Sequence, residues 1–311
     1  MANLFQFPKS HPISKQKTPD SLKWALFILL CLIWGSSFVL MKLGMFGNDG
    51  STVLSAWQVA ALRIFTSGIV LLPFAFKAWK RIPPEVRGIV LVSGWLGSFI
   101  PAILFCLAES RIDSALAGTL NAVTPLSTIL IGGMLFHIPV AKSKLMGILV
   151  GLSGCILLFL QKAFDAVNHP GWAGLVLIAT LCYGWNVQIV RQKLSGIAAL
   201  DIAAIAFSGM MPFSFILLVI SGYFSLPLQQ ESFVWATLAA SILGILGTAV
   251  GSIIFYRLVQ LSGPVFASLV TYGIPFVAIG WGFVYGEKIN MTQVAALAII
   301  LGGVYLTNKD R

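Results

Sequence analysis

Two stretches decide the reading of this chain: Ala117-Gly-Thr-Leu-Asn-Ala-Val-Thr-Pro125-Leu-Ser-Thr-Ile-Leu-Ile-Gly132-Gly-Met-Leu-Phe-His137 and Ala267-Ser-Leu-Val-Thr-Tyr-Gly-Ile-Pro275-Phe-Val-Ala-Ile-Gly-Trp-Gly282-Phe-Val-Tyr-Gly-Glu287. Each is a long apolar run with a proline near its middle. The prolines are 150 positions apart, and so are Ala117/Ala267, Ile129/Ile279 and Gly132/Gly282. A shared register around a shared mid-segment proline indicates an internal duplication.

Composition says what solvent the duplicated unit meets. Of 311 residues, 58% are hydrophobic and only 10% charged, against about a quarter charged in ordinary soluble domains. Water cannot cover so apolar a surface, so the lipid bilayer is the expected partner. The net charge of +10 does not indicate nucleic acid, because the cations lie in short loops between apolar runs rather than on one face of a domain. Cys31, Cys106, Cys155 and Cys182 lie within or at the edge of apolar runs without CxxC spacing, so they read as packing residues. No metal or cofactor site is indicated. Residues 1–22 form a polar tail, and the first apolar run has no small-residue cleavage site after it.

A helix needs about 20 apolar residues to cross the hydrocarbon layer. Ten runs qualify: 23–43, 54–76, 88–108, 115–136, 144–161, 172–191, 201–222, 233–256, 264–285 and 291–307. With the N-terminus inside, fifteen cations fall in inner segments and four in outer ones, leaving Arg63 within a span. That asymmetry predicts both termini in the cytoplasm of a multi-pass cell-membrane protein.

The duplication extends beyond the prolines. Gly94-Trp-Leu96-Gly97 matches Gly244-Ile-Leu246-Gly247 at the same offset, followed by Ile103/Ile253 and Phe105/Phe255. Trp34-Gly35 faces Tyr183-Gly184, and Lys42 faces Arg191, at an offset of 149. The expected unit is five helices, 23–162 and then 163–311. Five is odd, so the second copy enters the membrane from the opposite face, an inverted-topology repeat of the kind common in secondary transporters. The predicted fold is all-α and polytopic, with ten helices around a central cavity.

The acids lie outside the spans or at their rims, where a proton-coupled pump or a cation extruder usually keeps one at depth. What stands at depth is polar and aromatic. Trp34, Ser37 and Met41 share a face of the first span, and Tyr183 and Asn186 lie on the corresponding face of the sixth. Asn121, Thr124 and Thr128 line the fourth, and the ninth offers Thr271, Tyr272 and Trp281. Each fits either helix–helix hydrogen bonding or a cavity wall; as a set paired across the repeat they favour the cavity. Arg63, about 13 Å into its helix, can tie helix ends to carbonyls or meet a solute. Glu109 is the nearest acid in depth. Pro125 and Pro275 free backbone carbonyls at matching positions, which points to a site between the copies.

Gly151-Leu-Ser153-Gly154 has the form of an intramembrane serine protease motif, but His11, His137 and His169 are not placed to activate a serine. No paired aspartates for metal-dependent prenyl transfer appear, so no enzyme is expected.

Ile33-Trp-Gly-Ser-Ser-Phe-Val-Leu-Met-Lys42, Ala61-Leu-Arg63-Ile-Phe, the two proline-centred spans and Tyr285-Gly-Glu287-Lys together resemble the EamA-type drug/metabolite transporter family. The resemblance covers nearly the whole chain after the tail. It implies ten helices in two inverted halves, a cavity formed chiefly by spans 1, 3, 4, 6, 8 and 9, and export of small metabolites, often amino acids. Two departures stand out: Phe136-His137 where a Gly-Glu turn is usual, and the charged stretch Glu109-Ser-Arg111-Ile-Asp113 at the end of span 3. The expected solute is neutral or zwitterionic. Trp34, Ser37, Arg63, Asn121, Thr124, Tyr183, Asn186 and Tyr272 are its expected contacts, and Pro125, Pro275 and Glu109 the helix-break or gating positions. The alternatives are an intramembrane enzyme, or a non-transporting membrane partner or sensor subunit. Monomer and homo-oligomer both remain open.

Overall fold

The computed structural model describes residues 19–47, 49–112, 114–159, 170–284 and 291–308. The tail through residue 18, the repeat boundary at 162–163 and the turn 285–288 lie outside the described residues. The elements are α1 (Asp20–Met45), α2 (Ala56–Arg81), α3 (Pro84–Glu109), α4 (Ser114–Asn121), α5 (Thr124–Phe136), α6 (Lys142–Phe159), α7 (Pro170–Lys193), α8 (Ala199–Ile220), α9 (Glu231–Ser262), α10 (Pro264–Ser268), α11 (Val270–Val284) and α12 (Met291–Asn308). Among the described residues six helices are long and apolar enough to cross a membrane: α1, α2, α3, α7, α8 and α9. Large apolar side chains such as Phe76, Ile220 and Trp235 point outward, as expected where lipid replaces water.

Several helices outrun their apolar cores. α2 continues through Lys77, Lys80 and Arg81, and α9 through Arg257 to Ser262, because long cationic side chains can cover apolar surface while their heads reach the interface. Two spans read as continuous are broken. The fourth divides at Ala122–Val123 into α4 and α5, and the ninth at Leu269 into α10 and α11. Pro125 therefore lies in the first turn of α5, where proline is tolerated, whereas Pro275 lies inside α11. The carbonyl that Pro125 cannot serve, that of Asn121, accepts the Thr124 hydroxyl at 2.7 Å. His137 ends α5 in the left-handed region (φ 50°), a position glycine usually takes, which accounts for the unusual Phe136-His137.

The duplication is visible in the packing. α2 packs most heavily on α8, and α6 on α12; these pairs are their own duplicates. α1 packs on α11 as α7 packs on α5, and α1 on α9 as α7 on α3. The close approaches repeat too: a Cβ on Gly35 would collide with Val277, and one on Gly184 with the backbone of Ser127. Lys42 donates to the carbonyl of Glu109 (2.7 Å) at the end of α3, and Arg191 to that of Gln260 (2.6 Å) at the end of α9. Both cations complement the negative end of a helix.

Candidate functional site

The buried apolar residues form two clusters. One contains Met41, Leu54, Phe105 and Leu243; the other contains Leu30, Phe207, Tyr256 and Val270. Members of both line a central cavity of about 90 Å³. That is room for several waters, since one needs roughly 10–15 Å³ on the same measure.

The cavity walls come in duplicated pairs. Trp34 and Tyr183, Ser37 and Asn186, Gly97 and Gly247, Ser98 and Thr248, Phe105 and Phe255, and Asn121 and Thr271 all line it. Contacts between pairs are exchanged as well. The Trp34 ring lies 5.0 Å from Phe255, and the Tyr183 ring 6.1 Å from Phe105. A Cβ on Gly97 would run into the Asn186 amide, and one on Gly247 into the Ser37 hydroxyl.

Local helix irregularity shapes this wall. α3 widens into a π-helix at Trp95–Phe99, and α9 at Leu243–Val250. Such bulges expose carbonyls and concentrate at functional sites. In α9 the Gly247 carbonyl accepts Trp34 Nε1 at 2.9 Å.

Arg63 is the single charged side chain among the described lining residues. A capping box starts its helix: Ser55 N–H donates to Gln58 Oε1 (2.8 Å), and Gln58 N–H to Ser55 Oγ (3.3 Å). α9 meets α2 closely here, because Gly244 leaves no room for a Cβ beside the Arg63 backbone. Ser67 Oγ joins the two by donating to the Gly244 carbonyl at 2.7 Å. The arginine Nε donates to Thr248 Oγ1 at 3.1 Å, and its charge lies near enough to act on the Cys106 thiol. Glu109, fully buried one turn beyond, lies close enough to act electrostatically on the same thiol.

Seven of the eight residues expected to contact a solute line the cavity: Trp34, Ser37, Arg63, Asn121, Thr124, Tyr183 and Asn186. The eighth, Tyr272, does not. Its neighbour Thr271 takes the inward position, and successive helical side chains point about 100° apart. The Tyr272 hydroxyl instead donates to the Ile148 carbonyl on α6 at 2.6 Å. Tyr272→Phe is expected to lower stability by about 1 kcal/mol, the worth of one such bond, and to leave solute flux unchanged; melting in detergent and liposome flux together check this. Pro125 and Pro275 are buried beside lining residues Thr124 and Ile274. Trp281 Nε1 donates to Ser36 Oγ at 2.9 Å, away from the lining.

The sequence reading passed over Ser98, Thr248, Ser252, Tyr256 and Ser268, all of which line the cavity. The 150-residue offset could have found Thr248 and Ser98 as duplicates of each other. Tyr256 stands beside Arg257 near a span end and carries no such signal.

Apolar helices around a small chamber, lined by aromatic and aliphatic side chains with hydroxyls, amides and one arginine among them, suit a membrane transporter. The EamA-like transporter family model matches residues 22–160 and again 171–309; the chain belongs to that family. It is 23% identical over 293 residues to the "Probable terminal-alkyne amino-acid exporter" of Streptantibioticus cattleyicolor, covering 92% of this chain and 93% of that one. It is 26% identical over 144 residues to a WAT1-related protein of Arabidopsis thaliana, a match spanning 43% of this chain and 39% of that protein. A solved crystal structure shares the fold at a TM-score of 0.69, with 17% identity over 94% of this chain and 98% of that one.

Proposed function

We propose that the protein exports small zwitterionic or neutral metabolites such as amino acids, by alternating access of the cavity between its two halves. The observation that carries this reading is the cavity lining: one cation, Arg63, and no carboxylate among the described lining residues, set among hydroxyls, amides and aromatic rings. Arg63 receives the solute carboxylate through its planar fork of donors. Trp34, Tyr183, Phe105 and Phe255 supply apolar walls, and Ser37, Asn121, Thr124 and Asn186 supply hydrogen bonds. The exporter named for Streptantibioticus cattleyicolor lends weight to an amino-acid class.

The halves act as ten spans in two inverted five-helix repeats, 23–162 and 163–311, with both termini in the cytoplasm and the chain in the cell membrane. The fifteen-to-four distribution of cations and the interchange of contacts between duplicated helices support this arrangement. Rocking of one half against the other then exposes the cavity to each face in turn. The lack of a carboxylate among the described lining residues favours facilitated diffusion or exchange over proton coupling.

Cells with and without the protein are loaded with amino acids and the released pool is measured. Faster release of a subset is expected; equal release of every amino acid would sink the amino-acid reading. In liposomes, flux that collapses without a proton or sodium gradient would overturn the uncoupled mechanism.

A further inference from the structure

The cavity has a second polar end that the carboxylate site leaves unused. Tyr256, on α9, lines it and is 1% exposed. Its hydroxyl is buried and has no hydrogen-bond partner among the described residues. Ser93 and Asn186 stand near enough to the phenol to act on it, without meeting hydrogen-bond geometry. The Ser93 hydroxyl donates to Asn186 Oδ1 at 2.6 Å, which fixes the amide so that Nδ2 lies over Gly97. Three hydrogen-bonding groups therefore converge, and only two of them satisfy each other. A buried hydroxyl without a well-formed hydrogen bond is costly, and a polar group entering the cavity can supply that bond.

This end is remote from Arg63. The guanidinium bonds to Thr248, eight residues from Tyr256 on the same helix, which is roughly 12 Å along the axis. The duplicate of Tyr256 is Cys106, the residue that lies near Arg63. The same position thus faces the cation in one half and the uncharged polar cluster in the other.

We infer that Tyr256, with Asn186 and Ser93, forms a specificity subsite that receives a neutral hydrogen-bonding group on the solute, at the end away from its carboxylate. The subsite rests on the export of amino-acid-like solutes proposed above. It narrows the substrate class to carboxylates whose far end carries an amide or hydroxyl, and it disfavours solutes of equal length that end in an apolar group. Sites built to bond a polar substituent discriminate strongly against analogues that lack it, because their own groups are then left unpaired.

The test uses L-glutamine and L-methionine, which are of similar length and differ in the far end. Counterflow of each is measured in liposomes holding the full chain. Wild type is expected to favour glutamine on the order of tenfold in kcat/KM, the usual worth of one neutral hydrogen bond. Tyr256→Phe should bring the two solutes to similar kcat/KM, raising the glutamine KM and lowering that of methionine, since the hydroxyl that an apolar end leaves unpaired is gone. Ser93→Ala, which frees the Asn186 amide to turn, should shift the ratio in the same direction, and it serves as the readout if Tyr256→Phe does not fold. An unchanged ratio in the folded variants, or equal loss for both solutes, overturns the subsite and leaves the export reading standing. If wild type carries neither solute nor any other amino acid, the export reading fails and the subsite with it.

Discussion

Arg63→Gln is expected to reduce export of a zwitterionic solute by roughly 10- to 100-fold, the range for losing a charge-assisted hydrogen bond in a site shielded from water. The loss should fall mainly on KM if the arginine holds the carboxylate equally in every stage of transport. The corresponding amino-acid amide, which has no carboxylate, should be carried by variant and wild type alike. Arg63→Lys should retain part of the activity, because a single ammonium replaces the charge but not the two-pronged geometry. The variant's melting temperature must be followed in parallel, since Arg63 Nε also ties α2 to Thr248 on α9. Normal transport of the zwitterion with a lowered melting temperature would reduce Arg63 to a tie between helices.

The other large effect concerns stability. A Cβ on Gly303 would collide with the backbone of Gly151 on α6 and with the Gly147 carbonyl at 2.6 Å, whereas one on the adjacent Gly302 meets nothing within 4 Å. Backbone cannot yield as a flexible side chain can. Gly303→Ala is therefore expected to push α12 away from α6 and to destabilise the protein by about 1–3 kcal/mol, as overpacking does. Gly302→Ala should stabilise it by roughly 0.5–1 kcal/mol through the loss of glycine's freedom in the unfolded chain. Thermal unfolding in detergent reads both. Two variants one residue apart that move the melting temperature in the same direction would contradict the packing of α6 on α12.

The duplication was legible because each copy kept its glycines where helices touch. Gly35 and Gly184, Gly97 and Gly247 recur at nearly one offset, and each marks a close approach: Gly184 to the Ser127 backbone, and the others to the side chains of Val277, Asn186 and Ser37. The facing of Trp34, Ser37 and Met41 followed from helical spacing alone, and all three line the cavity. The π-helical turns were not legible. The glycines of Trp95–Phe99 and Leu243–Val250 mark positions that hold a helix weakly, but glycines are common throughout these spans and do not by themselves specify a π-helix. The proline-centred spans misled in one respect. Proline appeared to mark the break itself, but the chain breaks three residues before Pro125 and six before Pro275. Proline accepts the first turn of a helix readily, and Pro275 is absorbed within α11. Of the polar residues that the ninth span offers, Thr271 lines the cavity while Tyr272 turns to the Ile148 carbonyl, a choice of face that depends on how the helix is rotated against its neighbours.

The pairing of Cys106 with Tyr256 bears on the ancestry of the binding site. Two identical halves related by an axis through the chamber would offer the same groups to both ends of whatever entered, so a solute could sit either way round. Joining the copies in one chain freed each position to change alone. A thiol lies near the arginine on one side while a phenol stands beside an amide on the other, so one repeated position gives the two ends of the chamber different chemistry.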